Sequence, residues 1–132
     1  MGISVRKSIL LAEDDINTRH ELEALFSENG YDVTVTSNGL DALELAKTRK
    51  YDLVVTDIYM PKLDGLDFIV TLKRIHQEVK ALIITGCDRA ESGESEIEDT
   101  YARALQKYGG FDVLKKPFRG SELLKKVEQI LK

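Results

Sequence analysis

Four short apolar runs recur along the chain, Ile9 to Ala12, Leu53 to Val55, Ala81 to Ile84 and Phe111 to Leu114, with Val33 and Val35 forming a weaker, alternating fifth. They are too short for helices. Continuous rather than alternating hydrophobicity is what a parallel strand shows when helices cover both faces of its sheet. Between the runs, apolar residues return at helical spacing: Ile16, Leu22, Leu25 and Phe26; Leu40, Leu43 and Ala46; Leu66, Ile69, Leu72 and Ile75; Ile97, Tyr101, Ala104, Leu105 and Tyr108; Leu123, Leu124, Val127, Ile130 and Leu131. Each set gives a helix one apolar face. Asn29-Gly30 closes the first helix, Asn38-Gly39 opens the second and Gly109-Gly110 closes the fourth. The pattern predicts βα repeated five times, an α/β fold with a parallel sheet wound on both sides through right-handed crossovers. No composition break, repeat or linker splits it, so one domain is expected over residues 1–132. From Gly86 to Asp99, six acids (Asp88, Glu91, Glu94, Glu96, Glu98, Asp99) face one base, Arg89, which reads as a solvated loop leading into the fourth helix.

Composition narrows the function classes. A chain of 132 residues with 42% hydrophobic and 32% charged residues is ordinary globular material. Its 23 acids and 19 bases leave a net charge of -4, so no overall positive field is available to hold a nucleic-acid backbone, and direct nucleic-acid binding is not expected. No apolar run approaches the roughly 18 residues of a membrane span, and Met1 to Ser8 leads into the first strand without a cleavage-site pattern, so no membrane association and a cytoplasmic location are expected. The single cysteine, Cys87, cannot form an internal disulfide and reads as a loop or semi-buried residue.

The candidate chemistry sits immediately after the apolar runs. Glu13-Asp14-Asp15 comes after the first, Asp57 after the third, Thr85 after the fourth and Lys115-Lys116-Pro117 after the fifth. All fall at carboxyl ends of predicted strands, the edge where open α/β sheets bind ligands. Clustered carboxylates repel one another unless a pKa rises or a cation binds. An oxygen-only donor set suits a hard ion such as Mg²⁺, which commonly takes one or two carboxylates, several waters and a phosphate oxygen. His20 and His76 fall in helical stretches away from the strand ends and read as helix-face residues. Lys116 would neutralise added negative charge, Thr85 could donate to an anionic oxygen, and Asp57, ending the central run, is best placed as nucleophile, with Asp15 keeping the metal beside it. Each residue also has a duller reading: Asp14 and Asp15 as caps of the next helix, Asp57 and Asp64 as loop residues, Thr85 as a strand-end hydroxyl, Lys116 as a surface lysine. Jointly, the right residue types at one end of four strands are hard to ascribe to capping.

These residues resemble the receiver domain of two-component response regulators over essentially the whole chain. The likeness rests on Leu11-Ala12-Glu13-Asp14-Asp15, on Thr56-Asp57-Ile58-Tyr59-Met60-Pro61 continuing to Leu63-Asp64-Gly65, on Ile84-Thr85-Gly86 and on Lys116-Pro117-Phe118, in that order. The resemblance implies a flavodoxin-like fold with strand order 2-1-3-4-5. It implies that Asp57 is the phosphoacceptor, Asp15 a direct Mg²⁺ ligand, Asp14 a ligand acting largely through water, and the Tyr59 carbonyl a further metal oxygen. Thr85 would be the switch hydroxyl and Lys116 its ion-pair partner, preceding a cis peptide to Pro117. The phosphoryl donor would be a histidine kinase or a histidine phosphotransfer protein, the output an unnamed downstream protein, and the oligomeric state monomer or phosphorylation-dependent dimer. Two departures stand out: Val113 occupies the position where the family usually has Tyr or Phe, and the interval from Thr85 to Lys116 is several residues longer than usual. Tyr59 and Cys87 would flank the entrance for attacking water.

Two other functions compete. A receiver fold could bind its partner independently of phosphorylation, as Val113 and the acidic loop would allow, although the complete acidic set argues against that. An aspartate-dependent phosphatase of the haloacid dehalogenase type would want a second Asp two positions after Asp57, where this chain has Tyr59.

Overall fold

The structure is a computed structural model and describes residues 5–85 and 111–132. Its elements are β1 (Ser8–Ala12), α1 (Ile16–Glu28), β2 (Asp32–Thr36), α2 (Gly39–Thr48), β3 (Leu53–Asp57), α3 (Gly65–Ile75), β4 (Ala81–Thr85), β5 (Phe111–Lys115) and α4 (Gly120–Leu131). The expected helix over Ile97 to Tyr108, the acidic stretch, Cys87 and Gly109-Gly110 lie outside the described residues. The five strands form one parallel sheet in the order β2-β1-β3-β4-β5, as expected. No helix among the described residues is long and apolar enough to cross a membrane.

Strand parity explains why the runs in β1, β3 and β4 are apolar at every position. Ile9, Leu11, Leu53, Val55, Leu82 and Ile84 face one way, and Leu22 and Phe26 of α1 with Leu123 and Val127 of α4 cover them. Leu10, Ala12, Val54, Ala81 and Ile83 face the other way, under Ala42, Leu43 and Ala46 of α2 and Phe68, Ile69 and Leu72 of α3. Burial of each large aliphatic side chain contributes about 1.5–3 kcal/mol, so slipping a strand by one residue would exchange two filled layers at once. β2 lies at the sheet edge, and its residues run from exposed to half-buried to buried, which is why Val33 and Val35 signal it weakly.

Local chemistry sets the helix limits. Asp15, Asn38 and Asp64 cap α1, α2 and α3, each side chain accepting a backbone N–H from the first turn. After α1 the chain turns through Gly30 at φ +89, a left-handed conformation that a side chain disfavours. Ile16 and Leu40, read as parts of apolar faces, are 55% and 45% exposed, because each sits in the first turn, beyond the reach of the sheet.

Candidate functional site at the carboxyl edge

Three of the four strands that carry candidate residues are held one step beyond their own ends. The Glu13 N–H donates to Thr36 O at 3.1 Å, the Ile58 N–H to Ile84 O at 3.1 Å, and the Lys116 N–H to Thr85 O at 2.7 Å. Backbone hydrogen bonding therefore fixes Glu13, Asp57 and Lys116 at one edge. The loop after Asp57 is held as firmly, since the Gly65 N–H donates to Ile58 O at 2.8 Å. At Gly65 a Cβ would come within 2.0 Å of Asp57 O, so only glycine lets α3 start so close to the strand end. Arg19 of α1 braces the first loop, donating to Glu13 O at 3.0 Å.

Carboxylate oxygens of Glu13, Asp14 and Asp57 lie within 4.8 Å of one another. Lys116 Nζ approaches from the end of β5, 3.7 Å from Asp57 Oδ2 and 3.8 Å from Glu13 Oε1. Glu13 is 1% exposed; its Oε2 accepts the Asp15 N–H at 3.2 Å, while Oε1 is buried without a hydrogen-bond partner. Desolvation, reinforced by the Asp57 charge, pushes the Glu13 carboxyl up to about 7, against the opposing pull of the Asp15 N–H and Lys116. Thr85 Oγ1, on β4, is also buried and unpartnered. The Tyr59 N–H donates to Asp57 Oδ1 at 3.3 Å, and its ring packs against the core under α2 and α3. Val113 packs against that same cluster. The Lys116–Pro117 peptide is cis.

The expected set thus gathers with one change of register. Asp14, Asp57, Thr85 and Lys116 stand at the carboxyl edge, but Asp15 turns to the helix: its Oδ2 accepts from Thr18 Oγ1 at 2.7 Å and Thr18 N at 2.9 Å, and these bonds hold its carboxyl below the usual range. The duller reading, a helix cap, is the one Asp15 obeys, and Glu13 takes its place in the cluster. Glu13 has the strand parity of Ile9 and Leu11, so the residue that turns inward next after Leu11 was legible from the run itself.

Three carboxylates, one of them with a buried oxygen that lacks a hydrogen-bond partner, form a donor set for a hard divalent cation. The fit is physical, because a positive charge there would satisfy Glu13 Oε1 and relieve the repulsion that raises its pKa.

A five-stranded parallel sheet wound on both sides, with its polar cluster at the carboxyl edge, defines a doubly wound α/β protein of the kind that binds ligands at strand ends. Residues 9–128 match the family model of the response regulator receiver domain. The chain belongs to that family. It is 35% identical over 124 residues to the probable transcriptional regulatory protein SilR of Salmonella typhimurium, covering 94% of this chain and 50% of that protein. It is 32% identical over 130 residues to the response regulator MprA of Mycobacterium ulcerans (strain Agy99), covering 98% of this chain and 51% of that protein. The chain spans about half the length of the curated relatives it matches. Among solved structures, the receiver domain of the Francisella response regulator 1452 is 33% identical, with a TM-score of 0.78 over 96% of this chain and 97% of that one. A CheY-like receiver domain protein from Methanospirillum hungatei JF-1 shares the fold with a TM-score of 0.83 at 21% identity, covering 96% of this chain and 94% of that one.

Proposed function

We propose that this receiver domain, spanning residues 1–132, accepts a phosphoryl group on Asp57 in a Mg²⁺-dependent step and thereby switches the binding of a downstream partner. The observation that carries the reading is the convergence of Glu13, Asp14 and Asp57, with a buried Glu13 oxygen that lacks a hydrogen-bond partner and Lys116 Nζ 3.7 Å from Asp57. Glu13, Asp14 and Asp57 would hold the cation, with the Tyr59 carbonyl completing the protein's share, and Asp15 fixing the helix beside them. When bound, the cation neutralises the carboxylates that would otherwise repel a phosphorylated donor. An Asp57 oxygen attacks the phosphorus of a phosphohistidine on a kinase or phosphotransfer protein. The P–N bond breaks, the imidazole leaves with the electron pair and takes up a proton, and an aspartyl phosphate remains. Lys116 pairs with the added phosphoryl oxygens, and Thr85 Oγ1, which has no partner beforehand, donates to one of them. Those contacts exist only after phosphorylation, so they favour one arrangement of β4 and β5 over another, a population shift and not a catalytic turnover. A cytoplasmic location accords with such a donor, and the receiver acts as a monomer or as a phosphorylation-dependent dimer.

The test is the intact mass of the protein after incubation with a small phosphodonor, with and without Mg²⁺. The parent gains one phosphoryl group only with the cation, and Asp57→Asn gains none. A folded parent that gains nothing with several donors contradicts the reading and favours phosphorylation-independent binding.

A further inference from the structure

The opposite edge of the sheet holds a cavity of about 610 Å³, within the range of small-molecule sites. It opens where α2 and α3 end and where β1, β3 and β4 begin. Tyr51, just before β3, lines it, is 8% exposed, and has a buried hydroxyl with no hydrogen-bond partner. The Arg49 guanidinium lies over the Tyr51 ring, 5.1 Å from its centroid, while also reaching Asp32 at 3.8 Å. Of the described residues lining the cavity, five are Lys or Arg and two are acids, Asp52 and Glu78. Asp52 is engaged elsewhere, accepting from Ser8 N at 2.7 Å and Ser8 Oγ at 3.3 Å. Leu72, Ile75 and Val79 supply an apolar wall.

Bases near helix carboxyl ends are ordinary complements of the helix dipole, and Arg49, Lys50 and Arg74 fit that explanation. Lys7 and Lys80 do not: each immediately precedes a strand, yet both come to the same cavity. Nor does the dipole account for a buried tyrosine hydroxyl without a partner, a group whose desolvation goes uncompensated unless something supplies one.

We propose that this cavity binds a small amphipathic organic anion, an apolar body carrying one phosphate or carboxylate head. The head pairs with Lys7, Lys50 and Lys80, the body lies against Leu72 and Val79, and Tyr51 moves slightly to hydrogen-bond the ligand. Six residue steps at about 3.3 Å each separate Tyr51 from Asp57, so a ligand of this size touches one edge only. Occupancy is therefore independent of the acidic cluster, and its failure would leave the proposed phosphorylation intact.

The test uses the full chain without divalent cation, titrated with phenylphosphonate, which has no transferable phosphoryl group, and with benzoate, inorganic phosphate and phenol. Amide shifts followed by NMR report both affinity and place. At least one of the two amphipathic anions binds tenfold or more tightly than phosphate or phenol, with saturable shifts at Tyr51 and Lys80 and none at Asp14 or Asp57. The better of the two identifies the head group. Tyr51→Phe, which removes only an unpartnered hydroxyl and keeps the fold, weakens binding threefold to tenfold, and Lys80→Gln weakens it similarly. Inorganic phosphate binding as well as either probe, an unaltered affinity in both variants, or no saturable shifts overturns the proposal.

Discussion

At the carboxyl edge, three carboxylates crowd together and one buried Glu13 oxygen has no hydrogen-bond partner; at the amino edge, lysines and arginines surround a cavity whose buried tyrosine hydroxyl also lacks one. Both edges come from the same βα repeat. Backbone hydrogen bonds extend the ladder at both, through Glu13, Ile58 and Lys116 after the strands and through Lys7 and Lys80 before them, so the edges differ in their side chains: acids meet at one and bases at the other. The carboxyl edge holds like charges in unfavourable proximity, which is what a site for a cation and a phosphoryl group requires. The amino edge instead sets bases beside an apolar wall, which favours a ligand that arrives whole and leaves whole.

The largest way to break this contrast is to loosen the carboxyl edge. Gly65→Ala forces a Cβ against Asp57 O, and unfolding measurements should show a loss of about 2–4 kcal/mol together with loss of cation binding. Gly30→Ala, where no atom lies within 4 Å and only the positive φ objects, should cost about 1 kcal/mol and leave cation binding unchanged. Equal losses in the two variants would mean that the close approach of α3 to Asp57 is unimportant.

A second variant sharpens the electrostatic side of the comparison. Glu13 is raised from 4.5 to about 7, so the folded chain binds its proton more tightly than the unfolded chain does. That contribution to stability is full below pH 4.5 and is lost as pH rises through 7, by roughly 3 kcal/mol. In cation-free buffer, the stability difference between Glu13→Gln and the parent should therefore grow in favour of the variant between pH 4.5 and 7. Saturating Mg²⁺ should narrow the gap by stabilising the parent alone. A gap that ignores both pH and cation would remove Glu13 from the cluster.

The smallest effect separates two neighbours. Asp15→Ala should lower stability by about 1 kcal/mol through the lost cap while sparing cation affinity, whereas Asp14→Asn should weaken cation binding with little change in stability. Calorimetric titration alongside thermal unfolding distinguishes them, and a reversed pattern would restore Asp15 to the metal.

The parallel strands, the described helices and the edge that carries the acids were legible in apolar runs and helical spacings, which burial on two faces sets, whereas the strand order came from the family resemblance. What spacing alone did not resolve was which acid of Glu13, Asp14 and Asp15 turns away. Thr18, three residues after Asp15, is the residue that captures it, a cap signature present in the sequence but outweighed by the attraction of adjacent aspartates. The amino-edge cavity left no trace in any motif, since Lys7, Tyr51 and Lys80 come from separate segments and meet only through the sheet.

The central claim is that the carboxyl edge makes Asp57 the acceptor, and locating the modification tests it most directly. After incubation with a phosphodonor, borohydride reduces an aspartyl phosphate to homoserine, and peptide mapping identifies the residue converted. Homoserine is expected at position 57 when Mg²⁺ is present and at no position when it is absent. Conversion at Asp14, Asp15 or any other residue, or conversion at 57 that does not depend on the cation, would contradict it.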